Sequence, residues 1–268
     1  MRISGFQSES YQDWEEGLSS VIYTGKCNLK CPACHADNLM KSNNYADEKD
    51  ILKRLDRKSK YIDRLTISGG EPTLEKDLIL FLEKASERGY KIKLDTNGTN
   101  PEILKGIKDS SYVNHVAMDI KASKEFYTNV SGNKSIDIND IEKSASIVSE
   151  FPSYEFRTTV VPIIKDSPAQ DSRLRKEHIE WMNTEDADKM ASWIFNLTGK
   201  NQDTQYFIQR FRPVKGGLID SRLEEWEQTP KPLMESIEKV IAKYFPKIEM
   251  RGMEIGRAHV WTPVTTHN

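Results

Sequence analysis

The chain has 268 residues and a formal net charge of −2, from 39 basic and 41 acidic side chains. With 30% charged and 9% aromatic residues it is not a disordered chain, and its near-neutral balance points to no nucleic-acid partner. No run approaches the ~20 apolar residues that span a bilayer, and the amino terminus lacks a basic stretch followed by an apolar one, so neither a membrane segment nor a leader is expected and the expected location is cytoplasmic.

The predicted elements alternate along the chain. Residues 20–24 (SVIYT) are a short β-rich run before the cysteines. Ile51, Leu52 and Leu55 give 47–60 a helical spacing, and 62–68 (IDRLTIS) reads as a strand. Leu78, Ile79, Phe81, Leu82 and Ala85 make one face of a helix over 75–88, with Gly89 as its stop. A strand over 90–95 precedes a helix over 101–108 that Pro101 starts. Strand 113–120 and helix 138–150 follow, then a β-branched strand over 154–161 closed by Pro162. Thr184 is the expected N-cap of a helix ending near Gly199. Strand 205–211, helix 233–244 and a short strand 247–251 complete the pattern.

Strand–helix alternation of this kind predicts an α/β fold with right-handed crossovers and parallel strands, six or so units forming a barrel or an open, curved part of one. One domain is expected over 1–252. The last residues, GRAHVWTPVTTHN from Gly256, carry no period that joins the preceding pattern, so 253–268 is set aside as a non-native or disordered tail. The polar stretches 165–178 and 214–232 are expected to be loops open to partner docking.

All 3 cysteines, Cys27, Cys31 and Cys34, fall within eight residues just after the first strand. An odd, clustered set makes a poor disulfide framework and suits a metal site. Three thiolates can hold three corners of a four-iron cube and leave the fourth iron open to a substrate. Zinc is the alternative, but it wants a fourth Cys or His, and His35 adjoins Cys34 too closely to share a tetrahedral ion easily.

Other polar groups fall at successive strand ends, where parallel α/β folds bind ligands. Gly69 and Gly70 would let backbone carbonyls approach a ligand amine, with Glu71 as a charge partner; a tight turn before a helix is the plainer reading. Asp95 and Asn97 could equally be an Asx turn. Asp119 and Lys121 stand two apart and share a face, which also allows a simple salt bridge. Arg157, in an apolar strand, needs a partner if buried.

Together these residues make the chain resemble a radical S-adenosylmethionine enzyme, and among those the anaerobic ribonucleoside-triphosphate reductase activating proteins, a branch of the glycyl-radical-enzyme activases. The resemblance runs from about residue 3 to residue 251. It rests on Ile3-Ser-Gly-Phe6, Val21-Ile-Tyr-Thr24, the cysteine loop, Ser68-Gly-Gly-Glu-Pro-Thr73, Asp95-Thr-Asn-Gly98, Met118-Asp-Ile-Lys121, Arg157-Thr-Thr-Val-Val-Pro162 and Gln209-Arg-Phe-Arg-Pro213. It implies a partial (β/α)6 barrel of the radical S-adenosylmethionine type with parallel strands, a [4Fe–4S] cluster on Cys27, Cys31 and Cys34, and S-adenosyl-L-methionine bound by Gly69, Gly70, Glu71, Asp95, Asn97, Asp119, Lys121 and Arg157. No catalytic side chain beyond the cluster is implied. Lys121 and Arg157 would meet the methionine carboxylate. The implied partners are the glycyl-radical subunit of anaerobic ribonucleoside-triphosphate reductase and a flavodoxin- or ferredoxin-type electron donor. One position departs from the activases, which usually carry an aromatic before the third cysteine; here it is Ala33. The alternative function is a single-cluster enzyme acting on a small molecule or peptide, such as a 7-carboxy-7-deazaguanine synthase-like enzyme. A non-catalytic zinc or iron module is a third reading.

Overall fold

The computed structural model describes residues 1–14, 17–36, 40, 44–165 and 178–253. Residues 166–177 of the expected docking loop and residues 254–268 of the tail set aside above lie outside the described residues. Among the described residues ten strands are present: β1 (Ile3–Ser10), β2 (Ser19–Thr24), β3 (Arg64–Gly69), β4 (Lys91–Thr96), β5 (His115–Asp119), β6 (Tyr154–Val160), β7 (Pro162–Ile164), β8 (Ile179–Trp181), β9 (Gln205–Arg210) and β10 (Ile248–Arg251). The helices are α1 (Glu48–Lys58), α2 (Leu78–Ser86), α3 (Pro101–Ser110), α4 (Tyr127–Ser131), α5 (Ile138–Val148), α6 (Thr184–Leu197) and α7 (Lys231–Ile241).

Eight strands form one sheet in the order β1-β2-β3-β4-β5-β6-β9-β10. From β2 to β10 every neighbouring pair is parallel, as the alternation predicted. Two features were not anticipated. β1 adds antiparallel to β2 at one edge, and β7 and β8 form a separate antiparallel pair. The predicted strand 154–161 is β6, ending at Val160, and β7 begins at Pro162, which has no N–H to extend the main ladder.

Local chemistry accounts for the element ends. Asn183, not Thr184, caps α6: its side chain accepts from the Glu185 and Asp186 N–H groups, and Asp186 reaches back in a capping box. Asp47 and Asp137 cap α1 and α5. α2 starts later than predicted because Pro72–Leu74 turns as a 3-10 segment first.

Strand residues alternate between two environments. Leu65, Ile67, Ile92, Leu94, Val116, Met118, Phe156 and Ile208 join the apolar core beneath the helices, with Leu55, Phe81, Leu104, Ile141, Ile194 and Ile237. The alternate positions face the hollow of the curved sheet and are largely charged. Lys93 and Asp95 on β4, Asp119 on β5, and Glu155 and Arg157 on β6 form one ion-pair network there. Trp14 fills the amino end of that hollow, with Arg64 stacked 5.9 Å from its ring centroid and His115 at 6.4 Å. No helix of the described residues is long and apolar enough to cross a membrane.

Candidate cluster and cofactor site

β2 delivers the chain into the cysteine loop, and three segments hold that loop by its backbone. Beyond β3, the Gly70 N–H donates to the Thr24 carbonyl at 3.0 Å and the Glu71 N–H to the Lys26 carbonyl at 2.6 Å. A Cβ on Gly70 would stand 2.2 Å from that Lys26 oxygen, so only glycine fits. After α4, the Ser131 carbonyl accepts from the Lys30 N–H at 3.0 Å, and Asn133 Nδ2 donates to the Asn28 carbonyl at 3.1 Å. Gly132 lies between them at φ +63°, where a Cβ would meet the Lys30 oxygen at 2.0 Å. Beyond β9, the Ile219 and Asp220 N–H groups donate to the Cys34 and Pro32 carbonyls at 3.3 and 3.0 Å.

The thiols receive donors as well. Leu29 N–H points to Cys27 Sγ and Ala36 N–H to Cys34 Sγ, each at 3.4 Å, and Asn97 Nδ2 approaches Cys27 Sγ at 3.8 Å. Burial pushes the Cys27 thiol up to about 12 and the Cys31 thiol up to about 11, so metal binding must displace protons. Zinc gathers its ligands to within ~2.3 Å of one centre, whereas a four-iron cube takes each thiolate on a separate corner. A rigid loop of three soft, spaced thiols fits the cube with one open iron.

Beside the loop lies a cavity of about 680 Å³. Cys31, Cys34, Asp119, Lys121 and Arg157 line one side of it. Asp119 is held between two cations, with Lys121 Nζ 2.8 Å from Oδ2 and Arg157 Nε 2.9 Å from Oδ1. Burial pushes its carboxyl up, but Lys121 and Arg157 outweigh that and hold it at about 2. For Lys121 burial works downward, and Asp119 and the Cys31 site overcome it, so the ammonium stays charged. Arg157 also reaches Asp95 at 3.2 Å and Glu155 at 3.9 Å. Lys121 spends one N–H on Asp119, which leaves donors for a carboxylate in the cavity.

Five further residues expected to face the cofactor, Gly69, Gly70, Glu71, Asp95 and Asn97, are not among those lining this cavity, and their contacts run to the cysteine loop, β3, β4 and Arg157. Glu71 is fully buried, and its carboxylate accepts from Thr73 N–H, Thr73 Oγ1, Thr96 Oγ1 and Asn97 N–H at 2.6–3.1 Å. These bonds tie β3 to β4. Gly69 and Gly70 lie close because of the Thr24–Cys27 backbone they press on. Asn97 donates to Asn28 Oδ1 at 3.0 Å and accepts from Thr99, an Asx turn that also braces the cysteine loop. Asp95 Oδ1 lies 3.2 Å from Arg157 Nη1 as an ion pair but accepts no hydrogen bond, so it keeps acceptor capacity.

Sequence reasoning missed Glu155. It is 3% exposed, lies 3.4 Å from each of Lys93, His115 and Arg251, and those partners hold its carboxyl well below the usual range against the upward push of burial. A signal existed: Lys93/Asp95, Asp119/Lys121, Glu155/Arg157 and Glu249/Arg251 are opposite charges two apart on, or just past, four strands. Repetition at the strand period marks a shared charged face. Ala33 also lines the cavity, and near it His35 and Phe211 stack with centroids 6.3 Å apart and planes 7° apart. They present an aromatic surface where Ala33 has none. The His35 Nε2–H donates to the Arg212 carbonyl at 3.0 Å, and burial lowers the tendency of the ring to charge.

The profile described as the Radical SAM superfamily matches residues 21–172. The chain belongs to the radical S-adenosylmethionine superfamily. The cofactors of that family are a [4Fe–4S] cluster and S-adenosylmethionine. A Methanocaldococcus jannaschii protein provisionally named a glycyl-radical enzyme activating enzyme is 29% identical over 263 residues, 93% of this chain and 95% of that protein. The 7-carboxy-7-deazaguanine synthase of Neisseria meningitidis serogroup B is 37% identical over 97 residues, 36% of this chain and 44% of the synthase. The Streptococcus suis SuiB structure with S-adenosylmethionine bound superposes with a TM-score of 0.60 at 16% identity, over 87% of this chain and 50% of that one, which establishes the shared fold.

Proposed function

We propose that this chain is a glycyl-radical-enzyme activase that acts on anaerobic ribonucleoside-triphosphate reductase, with a flavodoxin- or ferredoxin-type protein as electron donor. Cys27, Cys31 and Cys34 would hold the [4Fe–4S] cluster. That cluster, with S-adenosylmethionine bound, supplies one-electron reductive cleavage of the C5′–S bond. Lys121 would bind the methionine carboxylate, with Asp119 and Arg157 fixing its position. The Glu71–Asn97–Asn28 bonds would keep the cysteine loop in place.

The observation that carries the activase reading is the end-to-end likeness to the Methanocaldococcus protein, since both chains are covered almost completely. The likeness to the deazaguanine synthase spans only 97 residues, yet its higher identity there makes it the specific second reading. Anaerobic mixing of the reconstituted chain with S-adenosylmethionine, a reductant and the reductase decides between them. A glycyl-radical doublet in the electron paramagnetic resonance spectrum is the expected result. Release of 5′-deoxyadenosine without a doublet would transfer support to the small-molecule reading.

A further inference from the structure

The cysteine loop has two halves with different surroundings. Cys31, Ala33, Cys34 and His35 line the cavity, whereas residues 26–30 are not among its lining residues. In that half Lys26, Asn28 and Lys30 are exposed, and Leu29 is buried. Asn28 joins this exposed surface to the cluster site. Its Oδ1 accepts from Asn97 Nδ2 at 3.0 Å, and the same amide approaches Cys27 Sγ.

The exposed half is also positive. Lys26 and Lys30 each precede a cysteine, and Lys134 stands two residues after Gly132, the glycine pressed on the Lys30 carbonyl. All three lysines are exposed, and none forms an ion pair among the described residues. Backbone bonds fix their places: the Lys26 carbonyl accepts from Glu71 N–H, Lys30 N–H donates to the Ser131 carbonyl, and Asn133 Nδ2 donates to the Asn28 carbonyl. The acids on the segments that hold the loop are spent. Glu71 is buried and accepts four bonds within the protein, and Asp220 is paired with Arg222. Acids return only farther along, at Glu102 in the first turn of α3 and at Asp137, the cap of α5.

We propose that the face carrying Lys26, Asn28, Lys30 and Lys134 is where the protein electron donor docks, and that the surface it receives is acidic. The proposal deepens the function proposed above: it rests on the cluster and the protein donor in that reading, not on the identity of the hydrogen-atom donor. A hydrogen-atom donor must enter the cavity to meet the cofactor. An electron donor needs only to come close to the cluster, and the Cys27 half of the loop offers that approach from outside the cavity. In the transfer, an anionic flavin hydroquinone on the donor loses one electron and becomes the neutral semiquinone, and the oxidised cluster gains that electron. No proton moves and no bond breaks. A patch of cations raises the encounter rate of an acidic partner, and salt screens the effect.

The test uses the full chain with its cluster reconstituted anaerobically. Stopped-flow absorbance reads cluster reduction by two donors: flavodoxin hydroquinone, an acidic protein, and reduced methyl viologen, a small cation that lysines do not attract. With the unmodified chain the flavodoxin rate is expected to fall as salt rises. The Lys30→Glu/Lys134→Glu double variant is expected to slow flavodoxin about tenfold at low salt and to leave the viologen rate within about twofold. Lys231→Glu/Lys239→Glu makes the same change in net charge at exposed positions of α7, and both rates are expected to stay within about twofold. Iron per chain and circular dichroism check that each variant is loaded and folded. A flavodoxin rate untouched by the Lys30/Lys134 variant, or slowed equally by the α7 variant, overturns the docking face. Equal slowing of flavodoxin and viologen also overturns it, because the change then lies in the cluster and not in the encounter. If neither flavodoxin hydroquinone nor reduced ferredoxin reduces the unmodified chain while viologen does, the protein donor itself is refuted and the face with it. The glycyl radical is no part of this readout, so failure of the activase reading leaves the face standing.

Discussion

The two sides of the site are built from opposite materials. The side on β2, β3 and β4 is held by backbone bonds, glycines in close contact and neutral amides, and its buried carboxylate, Glu71, is saturated by four short bonds. The side on β5, β6, β9 and β10 is an array of charges, with Asp119, Glu155, Arg157 and Arg251 sharing partners across strands. The difference fits what the proposed function asks of each. A loop that must keep three thiols apart and in place needs short-range contacts that salt and pH hardly move. A wall that must orient a zwitterionic ligand needs charges, and buried charges persist only when paired.

Substitutions on the two sides are therefore expected to fail in different ways. The largest effect falls on the thiols: changing any of Cys27, Cys31 or Cys34 to Ala should lower iron retention more than ~100-fold, beyond the loss usual for supporting residues, measured as iron per chain after desalting. Next, Arg157→Gln should cost about 1–3 kcal/mol of apoprotein stability, because it leaves the half-buried Asp95 and Asp119 beside a lost cation. The same variant should weaken S-adenosylmethionine binding while iron per chain holds, and equal loss of both would erase the distinction between the two sides. Gly132→Ala should cost about 1–3 kcal/mol through overpacking and a strained positive φ. It should show the reverse pattern, with iron retention falling and ligand affinity per loaded chain unchanged.

A smaller effect comes with pH. Lys121 and Arg157 hold the Asp119 carboxyl at about 2, below its usual 3.8, so it contributes stability that is complete above 3.8 and is lost as pH falls through about 2. Thermal unfolding of the apoprotein across that window should show this loss, and Asp119→Asn should flatten that part of the curve. Removal of residues 254–268 should change neither iron content nor 5′-deoxyadenosine release beyond experimental error; a measurable drop would make the segment part of the working protein.

Much of this was legible in the chain. The helical spacing of Leu78, Phe81, Leu82 and Ala85, the stop at Gly89 and the β-branched runs express local preferences that the tertiary structure kept. Asp119 and Lys121 pair as their spacing implied, because side chains two apart on an extended chain share a face whatever surrounds them. β1 escaped notice because its alternation is weak and its partner is β2, a pairing that depends on where the chain returns and not on its own composition.

The cysteine spacing, the strand–helix order and the opposite charges two apart were determined by sequence alone, since each depends on residue identity and a fixed local period. Which of the strand-end polar groups face the cavity was decided only by tertiary structure. Glu71 and Asn97 carry the same chemical groups as residues that meet ligands, yet they turn toward Thr73, Thr96 and Asn28. The backbones of three separate loops crowd onto the cysteine loop, and buried donors there must find acceptors within reach.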